Sequence, residues 1–118
     1  MTYISPFDHK DIIAGQGTSA LELFNEVGEL DCFLTGVGGG GLISGCSLVC
    51  KKFAPKCKII GVEPDAGHDA QMSLEQNKIV SVMNQKTLAD GASTPHIGHL
   101  NLKMMRQHLD RITHATDE

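Results

Sequence analysis

The residues best suited to chemistry lie in one short stretch. Gly36-Val37-Gly38-Gly39-Gly40-Gly41 follows the apolar run Cys32-Phe33-Leu34 and precedes Leu42, Ile43, Cys46, Val49, Cys50 and Phe53, which recur at helical spacing. The pattern predicts a buried strand, a glycine turn and a helix. Bare glycines leave backbone amides open to a ligand, and the N-terminus of a helix adds unpaired N–H groups and the positive end of its dipole. Phosphate or another anion is the expected ligand. A turn that serves only close packing rarely needs four glycines in succession, since each costs about 0.5–1 kcal/mol relative to alanine in regular structure.

The elements that must position this turn read as follows. Residues 1–15 read as an irregular entry segment, with no obvious core partner. Gly15-Gln16-Gly17-Thr18 is a second glycine turn, and Ser19-x-x-Glu22 forms a capping box for a helix with Ala20, Leu23, Phe24 and Val27 on its apolar stripe, ending at Gly28. Pro55 stops the central helix. Lys58 to Glu63 is a second buried strand, closed by Pro64. Residues 65–78 give a loop and a weak helix, Ile79 to Met83 a short strand, and Thr87 to Ala92 a turn with Asp90 at its tip. A last helix spans Leu100 to Leu109 with Leu102, Met105 and Leu109 inward, and Ile112 to Ala115 is a final strand. Strands alternating with helices predict an α/β fold, a three-layer parallel sheet with helices on both faces. Its ligands would sit at the carboxyl ends of the strands, where Gly38 to Gly41 and Glu63 fall.

Bulk properties narrow the classes. The chain has 118 residues, enough for a single domain over residues 1–118. A net charge of −4, with no basic cluster beyond Lys51-Lys52, argues against nucleic acid, as does an aromatic content of 4%. The uncharged run from Cys32 to Cys50 holds too many glycines, serines and a threonine for a membrane span. The N-terminus lacks an apolar segment after a basic start, which points to the cytoplasm. Cys32, Cys46, Cys50 and Cys57 form no C-x-x-C pair and read as small buried hydrophobes of a reducing compartment. His96-x-x-His99 has one helical turn of spacing but lies in a loop, which makes it a poor metal site.

Two readings of the glycines follow. On pattern alone, Gly36-x-Gly38-x-x-Gly41, with Glu63 ending the next strand, satisfies the dinucleotide fingerprint of a non-enzymatic nucleotide- or phosphate-binding module. The second comes from resemblance. SPFDHKDIIAGQGTSALEL, GVGGGGLISG, KIIGVEPDAGHDA and TLADGASTPHIG, in this order, resemble the middle-to-late part of the serine/threonine dehydratase family. That family comprises fold-type II pyridoxal-phosphate enzymes, including threonine dehydratase, serine racemase and hydroxyaspartate ammonia-lyases. The resemblance implies a portion of the large domain of such an enzyme, with a hydroxy amino acid (threonine, serine or hydroxyaspartate) converted to a 2-oxo acid and ammonia. It further implies that Gly38, Gly39, Gly40, Gly41 and Leu42 hold the phosphate of pyridoxal 5'-phosphate, and that Glu63, Gly67 and Asp69 bind Mg²⁺ or another divalent cation. Two carboxylates and a carbonyl are hard oxygen ligands suited to such an ion; the simpler account has Glu63 ending a strand and Asp69 capping a helix. His68, between them, reads as a surface imidazole.

The family's Schiff-base lysine belongs to an S-x-K-x-R-like motif upstream of the glycine turn, and this sequence contains none. Alone, the chain is expected to grip the cofactor phosphate without the covalent anchor. A fragment of a longer enzyme, a subunit completed by another chain and a degenerate relative all fit, and each leaves apolar strand edges open, so self-association into a homo-oligomer is expected.

Overall fold

A computed structural model describes residues 1–118. The helices are α1 (Lys10–Gln16), α2 (Thr18–Val27), α3 (Gly41–Phe53), α4 (Asp69–Gln76) and α5 (His99–His108), and the strands are β1 (Cys32–Gly36), β2 (Lys58–Pro64) and β3 (Arg111–Ala115). The three strands form one parallel sheet in the order β1-β2-β3. Phe33 pairs in register with Ile59, Thr35 with Gly61, Gly61 with Ile112 and Glu63 with His114. These residues share one face of the sheet, because side chains alternate along a strand.

That face packs against α3, which carries the core: Ile43, Cys46, Cys50 and Ile59 are fully buried, and Val37 and Phe33 are buried beside them. Gly61 makes the contact close, since a Cβ there would lie 2.8 Å from Val37 Cγ2 and 3.1 Å from Ile43 Cδ1. Helix α3 begins after Gly40, held at φ +92°, a left-handed conformation that favours glycine. It ends with Lys51 and Lys52 in its last turn, where cations oppose the negative end of the dipole. On the opposite sheet face Leu34 remains 59% exposed and Ile60 and Val62 are half-buried.

Five local expectations change. Residues 1–15 do have a core partner: α1 packs on α3 and buries Ile13. The Ser19 capping box does not form, because α1 runs through Gly17 into α2, and Ser19 is already inside the first turn. On α2 only Ala20 and Phe24 are buried, while Leu23 and Val27 face outward, so the buried stripe is narrower than the apolar one. Residues 79–83 are not a strand: the Val80 amide donates to Ser73 Oγ (2.9 Å) and the Val82 amide to the Pro95 carbonyl (2.8 Å), leaving no ladder. Cys32 is exposed, whereas the other three cysteines are buried, and all four are free thiols. No helix is long and apolar enough to cross a membrane.

Candidate functional site

The glycine turn connects the carboxyl end of β1 to the amino end of α3 and lines a cavity of about 440 Å³. Pro6, Phe7, Gln16, Gly91, Ala92 and Thr94 supply the other walls. The amides of Gly38, Gly39 and Gly40 donate to no acceptor in the chain, and those of Gly41, Leu42 and Ile43 precede the first capping bond, from the Ser44 amide to the Gly40 carbonyl (3.0 Å). No side chain caps α3. Gly38, Gly39, Gly40, Gly41 and Leu42, the residues that the sequence singles out, all border this one cavity. Free N–H groups at the positive end of a helix suit a phosphate.

Close walls explain the bare glycines. A Cβ on Gly39 would lie 2.1 Å from the Phe7 ring, one on Gly38 2.9 Å from the Gly91 carbonyl oxygen, and one on Gly41 3.2 Å from Phe7 backbone and side-chain atoms. Thr94 Oγ1 is buried in the same wall without a hydrogen-bond partner. The residues present thus fit an anionic group: amides without acceptors border a cavity, on a turn whose close walls leave no room for side chains.

The segment before α1 is part of this site, which sequence reasoning missed. Asp8 caps α5, its carboxylate accepting from the His99 amide at 3.0 Å and the Leu100 amide at 2.9 Å. Ser5 Oγ accepts from the Asp8 amide (2.9 Å) and shapes the turn that carries Phe7 over Gly39. Helix caps are normally sought among adjacent residues, so a cap from so distant a residue gives no local signal.

A second cluster gathers the predicted cation ligands. Glu63 and Asp69 are buried, and Gly67 lies beside them against Gln85. Both Glu63 oxygens accept backbone amides at the start of α4, Ala70 at 3.0 Å and Gln71 at 2.8 Å. Glu63, not Asp69, therefore caps this helix. Asp69 Oδ1 accepts from Gln85 Nε2 (3.1 Å), while Asp69 Oδ2 and Gln85 Oε1 have no partner. Burial pushes Glu63 up to about 7 and Asp69 up to about 6, with the amides and Gln85 opposing the shift. His114 Nε2 lies 3.8 Å from Glu63 Oε1, and the His114 ring sits 5.0 Å from that of His68, a half-buried imidazole whose Nδ1 lies 3.0 Å from the Asp65 carbonyl oxygen. No three His, Cys, Asp or Glu side chains converge as a metal cage, here or around His96 and His99. Asp69 Oδ2, which has no partner, and the remaining lone pairs of the Glu63 carboxylate fit a hard cation in chemistry, with a third donor drawn from backbone or amide oxygen.

The dinucleotide reading needs Glu63 exposed to a ribose, whereas Glu63 is buried beneath α4 and accepts its Ala70 and Gln71 amides; a bare ion could still share the remaining lone pairs of the carboxylate.

A family model described as pyridoxal-phosphate dependent enzyme matches residues 1–118. Serine racemase of Schizosaccharomyces pombe is 47% identical over 118 residues, which are 100% of this chain and 36% of the relative. L-threo-3-hydroxyaspartate ammonia-lyase of Saccharomyces cerevisiae is 49% identical over 115 residues, 98% of this chain and 35% of the relative. Among solved structures, serine racemase from Dictyostelium discoideum superposes with a TM-score of 0.88 at 37% identity, over 97% of this chain and 36% of the other. The processed form of threonine deaminase isoform 2 from Solanum lycopersicum gives 0.93 at 34% identity, over 98% and 32%. The chain spans little more than a third of the length of these two curated relatives.

Proposed function

The chain belongs to the pyridoxal-phosphate-dependent enzyme family, as part of the large domain of a fold-type II member, and from that premise we propose that it serves an ammonia-lyase of hydroxy amino acids. The substrate would be threonine, serine or hydroxyaspartate, and the products a 2-oxo acid and ammonia. One observation carries this reading: the unpaired amides of Gly38 to Gly40, continued by the first turn of α3, border a cavity. Gly38, Gly39, Gly40, Gly41 and Leu42 would hold the phosphate of pyridoxal 5'-phosphate through their backbone N–H groups. When bound, this cofactor supplies an electron sink for removal of the substrate's α-proton. The chain's own residues bind and orient the anionic tail, while the Phe7 ring over Gly39 limits access of water to that side of the turn.

No lysine lines the cavity. A covalent anchor would therefore come from outside this stretch, in the same polypeptide or a partner, and the 118-residue chain alone would not turn over substrate. Leu34, Ile60 and Val62 offer an apolar sheet face for such a partner or for self-association. The free thiols accord with a reducing compartment such as the cytoplasm.

The test is reductive trapping with borohydride in the presence of pyridoxal phosphate, followed by peptide mapping and a 2-oxo acid assay with threonine, serine and hydroxyaspartate. Saturable binding that inorganic phosphate competes away, without turnover, is expected. A single labelled lysine together with substrate-dependent 2-oxo acid would overturn the incompleteness of the chain, and failure to bind either ligand would overturn the phosphate grip.

The second cluster completes the proposal, with Glu63, Asp69 and the Gly67 carbonyl as ligands for Mg²⁺ or another divalent cation. Its pH behaviour follows from the raised pKa values. Each acid favours folding fully below its unfolded value near 4, where both states hold the proton. That contribution is lost as pH rises, until the folded groups ionise near 6 and 7. The metal-free chain should therefore lose thermal stability between about pH 4.5 and 7 through these two groups. Mg²⁺, Mn²⁺ or Ca²⁺ should raise the melting temperature more at pH 7.5 than at pH 5, and Asp69→Asn should remove that response. Melting curves unmoved by all three ions at pH 7.5 would eliminate the cation site.

A further inference from the structure

Asn101 does not line the cavity, yet it controls one of its walls. Its side chain is fully buried on α5. Its Nδ2 donates to the Gly39 carbonyl at 2.8 Å and to the Phe7 carbonyl at 2.9 Å, so one NH₂ group joins the glycine turn to the segment that covers it. The opposite orientation of the amide would set an oxygen against two carbonyls, which fixes the assignment. The Gly98 amide, at the start of the same helix, donates a second bond to the Gly39 carbonyl (3.0 Å). Asn101 Oδ1 has no partner, an unfavourable arrangement in a buried site. A side chain kept there despite an orphaned oxygen is held for what its nitrogen does.

The consequence runs through a single peptide. A trans peptide is planar, with the C=O of one residue antiparallel to the N–H of the next. Two donors draw the Gly39 carbonyl toward α5, so the Gly40 N–H must point away from α5. The cavity lies on that side: residues 38–42 line it and no residue of α5 does. Gly40 presses against the helix as well, since a Cβ there would lie 2.9 Å from Asn101 Cβ and 3.2 Å from Met105 sulfur. Were the Gly39–Gly40 peptide free to rotate, the turn would present a carbonyl oxygen to an incoming anion in some of its conformations.

We propose that Asn101 is a positioning residue of the anion site, which aims the Gly40 N–H into the cavity by anchoring the Gly39 carbonyl and at the same time fastens Phe7 over the turn. The inference rests on the reading of the glycine turn as a phosphate grip. It extends that grip to a residue that touches neither cofactor nor substrate.

The test uses the 118-residue chain, labelled with ¹⁵N and titrated with inorganic phosphate and, separately, with pyridoxal phosphate and phosphate-free pyridoxal. In the unmodified chain the Gly40 amide should be among those that shift most on phosphate addition. Asn101→Leu keeps the bulk and removes both donors. It should weaken phosphate and pyridoxal phosphate about tenfold, as expected for losing an oriented donor to a charged group, reduce the Gly40 shift, and leave pyridoxal unchanged. A loss shared equally by pyridoxal would mean a general structural role and would overturn the proposal, as would unchanged phosphate affinity with an unchanged Gly40 shift. Should Asn101→Leu not fold, the unmodified chain decides: Gly38 and Leu42 shifting while Gly40 stays fixed refutes the aim of that amide, and Gly40 shifting with them upholds it. Absence of any phosphate-induced shift from Gly38 to Leu42 would instead refute the phosphate grip itself.

Discussion

Gly39→Asp is expected to lower the affinity for pyridoxal phosphate and for inorganic phosphate at least 100-fold. Two effects act together. The first is steric: the added Cβ would sit 2.1 Å from Phe7 Cγ and 2.2 Å from Cδ1, so the ring must leave its place over the turn. Phe7 has little freedom to do so, because its carbonyl is held by Asn101 and the next residue caps α5. The second is electrostatic. A carboxylate within about 4 Å of a phosphate repels it by roughly 1 kcal/mol per charge pair in water and about 4 kcal/mol at the effective dielectric of a protein surface. A 100-fold loss corresponds to about 2.7 kcal/mol, inside that range. Calorimetric titration measures it, and Gly39→Ala separates the two causes, since it carries the steric term without the charge. Affinity within threefold of the unmodified chain for Gly39→Asp would show that the phosphate is not bound at this turn.

Gly45→Ala is expected to have the largest effect on stability of any single methyl added to the chain. The new Cβ would meet the Ile13 carbonyl oxygen at 2.1 Å and the Gly17 amide nitrogen at 2.5 Å. Both are backbone atoms, so no side chain can turn aside; α1 and the start of α2 must back away from α3. Gly17 faces the same contact from the other side, with a Cβ position 2.8 Å from the Gly45 carbonyl oxygen. Separating these helices opens the seam that buries Ile13, Ala20 and Cys46. Overpacking of this kind costs about 3 kcal/mol. For a chain of this size that corresponds to a fall in melting temperature of roughly 10 °C. Gly15→Ala is the control, because nothing lies within 4 Å of its Cβ position. In α1 it should gain up to about 0.5–1 kcal/mol from helix propensity. A scanning calorimetry trace for Gly45→Ala within 2 °C of the unmodified chain would contradict the close packing of α1 on α3.

The two glycine contacts differ in what sequence could reveal. Gly38 to Gly41 stand between an apolar run and a helical stripe, so their role in a strand–turn–helix connection follows from local pattern. Gly15-Gln16-Gly17 reads as a turn for the same reason, yet Gly17 is glycine because a distant backbone approaches it, and the chain there is nearly continuous helix. Local pattern contains no trace of that approach. The short apolar run at residues 79–83 misleads in the opposite direction: it has strand composition, but its amides reach Ser73 and Pro95 instead of a neighbouring strand.

Glu63 makes the same point within the candidate cation site. Its sequence context puts it at the end of a buried strand and leaves Asp69 as the cap of the following helix. In the fold Glu63 reaches seven and eight residues ahead to cap α4, and Asp69 keeps one oxygen without a partner. Which carboxylate caps and which stays open is decided by the path of the turn over residues 64–68, not by the residue types.

The amino-acid sequence by itself determined the parallel α/β fold, the glycine turn at the head of α3 and the family, because each rests on neighbours in the chain or on ordered blocks of it. Only the tertiary structure decided how that turn is held. Asn101 meets Gly39 across 62 residues and Asp8 meets His99 across 91. Contacts of that span leave no periodicity and no spacing in the chain, since their geometry exists only once the helices have packed.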